Sequence, residues 1–351
     1  MQVQLVICGM HRSGTSLVAN VLREAGLDIG TRDDVGLGVG QPRGHFEDRD
    51  FFRLHEAILA ASGRSCFSAD DASLGEIAPA FEQQARALIA ARADRPFWGW
   101  KDPRTCLFLD LWDRLLPDAL YLFLYRHPVD VALSLWRRNT DPELSADPWL
   151  AFRSWEVHNR RILALRDRHP ERCFVAHAPA LAADLGGFVR RVGSKLGLPF
   201  VEGDFRALFD SEELAPSCRP LHLGWDPLIP KALALFRRLE EVADLPSAEE
   251  VVDEAKERQR GLLKTSETLL YKLLGSRLHD RPDVKSELAQ LAHLRLREQE
   301  LVRRLSATEA AADSAQKAWA ETSRVLREIE SSRGFALIRG WWWLRRHLST
   351  G

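Results

Sequence analysis

A largely apolar run from Val3 to Cys8 passes into a turn marked by Gly9 and Gly14, and then into Leu17, Val18, Val21 and Leu22 at helical spacing. Few folds accommodate that order. A near-continuous apolar strand asks for cover on both faces, which parallel sheets between two helical layers provide. The unit recurs: Ala119 to Tyr125 is a second apolar run that ends at Arg126 and Pro128, and Val131, Ala132, Leu135 and Trp136 follow at helical spacing with the proline in the first turn. Phe97 to Trp100 and Arg172 to His177 are two further strand candidates. The first leads into Lys101, Asp102, Pro103 and Arg104, and the second precedes a helix through Phe188 to Leu196. Strands alternating with helices predict an α/β fold with a mostly parallel sheet and helices on both faces. Ligands of such sheets bind beyond the carboxyl ends of the strands, where all the motifs below fall.

From about Lys231 onward the pattern is wholly helical, with no further strand expected. Beyond about Asp283 the positions Leu301, Leu305, Ala312, Ala315, Trp319, Leu326 and Ile329, with Thr308 and Thr322 filling the gaps, follow spacings of four and three, the signature of a long helix with an imperfect coiled-coil seam. No Asp or Glu follows Glu330, while Arg333, Arg339, Arg345 and Arg346 do, among Trp341, Trp342 and Trp343. The expected organisation is a main domain over 1–282, a long helix or coiled coil over 283–333, and a basic, Trp-rich segment over 334–351. That last segment suits contact with an anionic membrane surface or packing against protein, and the seam suits a homo-oligomer; the sequence leaves these open. The apolar share of 45% and charged share of 28% belong to a soluble globular protein, and no stretch approaches the roughly 20 apolar residues of a membrane span. With no basic leader ahead of Val3, a cytoplasmic location is expected, at the inner membrane surface if the tail binds there. A net charge of −1 gives no global case for nucleic-acid binding. The five cysteines stand singly, without disulfide or zinc spacing, and are expected to be reduced core residues.

The segment Gly9-Met10-His11-Arg12-Ser13-Gly14-Thr15-Ser16 lies between the first strand and first helix, where backbone N–H groups and the helix dipole converge on an anion. Its glycines, five apart, match the start of the nucleoside triphosphate P-loop, so the fold is expected to be P-loop-like. In that pattern a lysine follows the second glycine to reach the β- and γ-phosphates. Here Thr15 holds that position and the cation is Arg12, ahead of the glycine. A nucleotide kinase is therefore the weaker reading.

The loop Arg12-Ser13-Gly14-Thr15 resembles that of the PAPS-dependent sulfotransferases, which bind 3′-phosphoadenosine 5′-phosphosulfate and carry Lys or Arg before Ser-Gly-Thr after the first strand. Their second signature, Arg-x-Pro with a serine eight residues beyond the arginine, is matched by Arg126-His127-Pro128 and Ser134. The resemblance covers roughly residues 3–275 and is most specific in these motifs. It is closest to the bacterial enzymes and the related protein-tyrosine sulfotransferases, and the Lys-Thr-His motif of the cytosolic animal enzymes is lacking. It implies transfer of a sulfonate from PAPS to an acceptor hydroxyl, on a carbohydrate, lipid or small molecule and most readily on a sugar or glycolipid, with no metal. It implies further that Arg12, Ser13, Gly14, Thr15 and Ser16 hold the 5′-phosphosulfate, and that Arg126 and Ser134 hold the 3′-phosphate. Lys101 would share with Arg12 the charge that develops in transfer, unless it only pairs with Asp102. The base would be Glu47, with His45 as the second candidate; the plainer reading of their segment is a helix start whose acids complement the dipole. A non-catalytic nucleotide-binding assembly module is the remaining alternative.

Overall fold

A computed structural model describes residues 2–30, 46–67, 77–138, 141–208 and 229–247. The chain divides into two units, and the described residues belong to the first, which takes in 1–217 and 228–251. The expected coiled coil over 283–333 and the Trp-rich segment over 334–351 lie outside the described residues, as do His45 and Cys218.

Four strands, β1 (Val3–Cys8), β2 (Phe97–Lys101), β3 (Leu120–Tyr125) and β4 (Cys173–His177), form one parallel sheet in the order β2-β1-β3-β4. The register pairs Ile7 with Lys101, Cys8 with Phe123, and Tyr125 with His177. The carboxyl ends of β1, β2 and β3 therefore meet along one rim, and the loop after β1 sits between Lys101 and Arg126. The helices are α1 (Thr15–Glu24), α2 (Arg49–Ala61), α3 (Pro79–Ala90), α4 (Leu109–Leu115), α5 (Pro128–Arg138), α6 (Pro142–Ala146), α7 (Leu150–Arg168), α8 (Leu185–Leu196) and α9 (Pro230–Val242).

Both faces of the sheet are covered, which accounts for the apolar character of its strands. Leu5, Ile7, Leu122, Leu124, Phe174 and Ala176 pack on Val18, Val21 and Leu22 of α1 and on Phe188, Val189 and Val192 of α8. The opposite face is aromatic. Phe51 of α2 stacks on Trp100 at 4.1 Å between ring centroids, and Trp112 of α4 closes on the same ring at 4.9 Å. Trp100 is fully buried, and replacing such a ring by alanine costs about 3–5 kcal/mol. Gly9 is where the first loop crosses β3: a Cβ there would stand 2.1 Å from the carbonyl oxygen of Leu124, so no larger residue fits without moving the loop.

The two outer strands each meet a short extended segment. Asp28 exchanges main-chain bonds with Phe97 and Gly99 on β2. On β4, Val175 and His177 bond to Asp244 and Leu245, which follow α9. The region after Lys231 is thus not wholly helical, because the chain leaves α9 to pair with the sheet edge. Among the described residues no helix is long and apolar enough to cross a membrane. Their cysteines are free thiols: Cys8, Cys106 and Cys173 are buried as expected, whereas Cys66 is only partly so.

Candidate active site

The loop after β1 turns on Arg12, whose φ is +69°, and on Gly14, whose φ is +79°. The left-handed region suits glycine but costs a side chain energy, so Arg12 is held there by its surroundings. Ser13 N donates to Met10 O at 3.1 Å and closes the turn. Gly14 is the N-cap of α1 and has no side chain to accept from the first N–H groups of the helix, the groups through which helix starts hold anions. Ser13 Oγ and His11 Nε2 are buried without a hydrogen-bond partner among the described residues, a condition that a bound anion or acceptor would relieve.

A pocket opens over this loop, lined by His11, Arg12, Gly14, Thr15 and Ser16 together with Glu47, Lys101, Pro103 and Arg138. Three cations against one carboxylate make it a place for an anion. Arg12 Nε donates to Ser134 Oγ at 2.9 Å, which joins the loop to α5 and brings residues of the two separate motifs into contact. Arg126 is buried and paired with Asp130 at 3.6 Å, while its carbonyl accepts from Trp155 Nε1 at 3.1 Å. Burial weakens the guanidinium's hold on its proton and Asp130 opposes this; an arginine stays charged regardless. His127 faces inward, with Nδ1 accepting from Val129 N at 3.3 Å and its ring edge-on to Phe236, so it serves the start of α5 rather than the pocket.

On the β2 side, Lys101 is almost wholly buried and donates to Ser16 Oγ at 3.2 Å and Glu47 Oε1 at 2.9 Å. Its carboxylate partner is thus Glu47 rather than Asp102. The segment Glu47-Asp48-Arg49-Asp50 divides its labour. Asp48 caps α2, accepting from Asp50 N at 3.0 Å, and pairs with the buried Arg92 at 2.8 Å, while Asp50 also reaches Arg92. Glu47 takes no part in the cap and turns to the pocket. It follows Phe46, whose φ of +52° is the other positive value at a described non-glycine residue. Its neighbours are charged: Glu47 lies between Lys101 and Arg104, the latter at 3.6 Å. Charged residues from β2 and the turn after it occupy the volume that the motif left undefined.

Sequence reasoning missed His11 and the His55–Asp102 pair, and left Arg138 undecided between the site and solvent. His11 lines the pocket beside Phe67; burial, reinforced by Arg104, holds it well below the usual histidine range, so it is neutral at pH 7. Its place between Gly9 and Arg12 was the available signal. Arg138 also lines the pocket, bonded to Asp141 at 2.7 Å, and helical spacing alone did not separate it from Arg137, whose Nε turns back to Leu133 O. The buried His55–Asp102 pair, at 2.6 Å, joins residues 47 apart and left no signal in either segment.

These features define an α/β protein of P-loop-like topology whose anion loop carries arginine in place of the usual lysine. The sequence model of the Sulfotransferase family matches residues 4–202, and the chain belongs to that family. It is accordingly a transferase. Solved structures to which this chain is similar include the sulfotransferase STF9 of Mycobacterium avium, at 17% identity and TM-score 0.41 over 70% of this chain and 77% of that one. The sulfotransferase domain of the olefin synthase from Synechococcus PCC 7002 matches at 21% identity and TM-score 0.38, over 77% of this chain and 95% of the domain. STF1 of Mycobacterium tuberculosis matches at 14% and 0.35, over 61% and 71%. No curated protein sequence matches the chain.

Proposed function

We propose that this chain transfers the sulfonate of PAPS to an acceptor hydroxyl. The observation that carries the reading is the 2.9 Å bond from Arg12 to Ser134, which joins the 5′-phosphosulfate loop to the helix of the 3′-phosphate motif. One nucleotide bearing anions at both ends would bind across that junction. The uncapped start of α1 and the surplus of cations around the pocket favour the same ligand.

In this reading Arg126 and Ser134 receive the 3′-phosphate, and the loop from Arg12 to Ser16 receives the 5′-phosphosulfate. The acceptor hydroxyl gives its proton to Glu47 and its oxygen bonds to sulfur. The sulfur–oxygen bond to the 5′-phosphate breaks, and the electron pair stays on a phosphate oxygen faced by Arg12 and Lys101. Lys101 bonds both to Ser16 in the donor loop and to Glu47, so a shift of its ammonium toward the sulfonate would release Glu47 Oε1 to the acceptor. His11, neutral and at the same pocket, is another group there that could take a proton, while His45, the alternative base, lies outside the described residues. The acceptor we propose is a sugar hydroxyl, free or on a glycolipid, a choice supported by family resemblance alone.

A nucleotide kinase shares the sheet and loop, but with Thr15 after the second glycine it would lack its phosphate lysine. Thermal unfolding separates the readings by mass action. Adenosine 3′,5′-bisphosphate should raise the melting temperature at concentrations roughly 10- to 100-fold lower than adenosine 5′-phosphate does, from a charge-assisted contact of about 1.5–3 kcal/mol. Equal shifts, or a preference for ATP, would refute the assignment of Arg126 and Ser134.

A further inference from the structure

Glu47 is met by two cations, and only Lys101 is among the residues that line the pocket. The other, Arg104, is held from several directions at once. Its Nη1 and its backbone N both donate to Asp102 Oδ1 at 3.0 Å, its Nε donates to Glu56 at 2.5 Å, and its plane lies 4.5 Å over Phe52. Nη1 then stands 3.6 Å from Glu47 Oε2.

Asp102 is in turn fixed from behind. It is fully buried and its Oδ2 accepts from His55 Nδ1 at 2.6 Å. Trp112 Nε1, which can only donate, reaches His55 Nε2 at 2.9 Å, so the imidazole carries its proton on Nδ1. Its ring also stacks on Phe108 at 4.7 Å. Burial alone would raise Asp102, yet Arg104 and the His55 bond hold it well below the usual carboxylate range, while Asp102 and Glu47 raise Arg104 against its own burial. A buried ion pair supported on α2, α4 and the end of β2 is costly to assemble and contributes little net stability. What it does fix is the direction of one guanidinium.

We infer that Arg104, locked by Asp102 and His55, is a positioning residue for Glu47, pinning Oε2 so that Oε1 is the oxygen that receives the acceptor proton. This deepens the reading of Glu47 as base and rests on it. The groups facing the carboxylate are Lys101 from β2 and Arg104 from the turn after it, with Ser16, Arg12, His11 and Arg138 around the same pocket. Of these, Arg104 alone is tied into the buried pair.

The test uses the full chain with PAPS and water as the acceptor, following release of inorganic sulfate across pH. Arg104→Gln should lower kcat about 10- to 100-fold with KM for PAPS nearly unchanged. It should also shift the acid limb of the kcat profile to higher pH, because a cation facing the carboxylate is gone. Arg104→Lys should return the acid limb to its original place without restoring the full rate, since an ammonium cannot hold Asp102 and Glu47 in a fixed fork. A folded Arg104→Gln with unchanged kcat and acid limb, or with its whole loss in KM, overturns the inference. Should Arg104→Gln not fold, Arg104→Lys decides: a several-fold loss of kcat upholds the inference and a wild-type kcat overturns it. Glu47→Gln run alongside separates the two claims. If it keeps full sulfate release the base reading itself falls, whereas an inactive Glu47→Gln beside a normal Arg104→Gln removes only the positioning role.

Discussion

The two flanks of β1 carry the site in different ways. Toward β3, the groups are few and come from repeated local units: Arg12 from the loop after β1, Arg126 from the end of β3 and Ser134 from α5. Toward β2, Glu47, Lys101, Arg104, Asp102 and His55 form a continuous buried network in which each charge answers another. The first flank presents cations to whatever enters. The second is already internally balanced, and its carboxylate is held in place. Under the proposed function, the contrast is the one expected between binding an anion and moving a proton, where orientation matters more than attraction.

The largest expected effect tests that division directly. Glu47→Gln should reduce sulfate release from PAPS about 10²–10⁴-fold, the usual share of a general base, while the melting shift given by adenosine 3′,5′-bisphosphate stays as in the parent. If nucleotide affinity collapses together with turnover, the flanks are not functionally separate. A second experiment concerns acid. His158 of α7, buried and donating toward Ser154 O at 2.8 Å, is brought down to about 4 by burial, with the backbone bond opposing. The folded state therefore binds that proton less readily than the unfolded chain. Its contribution is fully present above about pH 6.5, the unfolded value, and is lost progressively as pH falls toward 4, on the order of 3 kcal/mol across the interval. Because α7 supports the turn after β2 through Arg161, which donates to Leu107 O at 3.3 Å, the loss weakens the β2 flank. Denaturant unfolding at pH 6.5 and pH 4 should show His158→Gln losing less stability than the parent; identical losses would exclude this source. The smallest effect belongs to the other flank. Ser134→Ala should weaken binding of adenosine 3′,5′-bisphosphate by a few-fold, for one hydroxyl worth about 0.5–1.5 kcal/mol, and leave the acid limb of sulfate release unmoved. A shifted limb would mean that the flanks communicate.

The same contrast governs what the sequence made legible. All four strands were evident because burial on both faces leaves apolar runs, and their ends set Arg12, Lys101 and Arg126 on one rim. The motif residues toward β3 could be read because spacing along one strand and one helix places them. Toward β2 the pairing of Glu47 with Lys101 spans 54 residues and that of His55 with Asp102 spans 47, and no local rule of spacing reports such contacts. The environment of Glu47 was not legible for that reason: the surroundings of a side chain are supplied by tertiary neighbours, and here these are Lys101 and Arg104. The return of Asp244 and Leu245 to β4 was missed because two residues in extended pairing leave no periodicity to detect.

That return, together with Asp28 on β2, bears on how copies of the protein behave in a crowded solution. An outer strand with open N–H and C=O groups is a template on which a foreign strand can grow, the usual start of edge-to-edge aggregation. Here Gly99 N and Phe97 O are engaged by Asp28, and Val175 and His177 by Asp244 and Leu245. Asp244 goes further: its Oδ2 accepts from Val175 N at 2.9 Å while Oδ1 takes Lys195 at 2.5 Å. A carboxylate and an ammonium therefore stand where an incoming strand would lie, and recruitment by β-augmentation at that rim would require stripping away a charged clasp first.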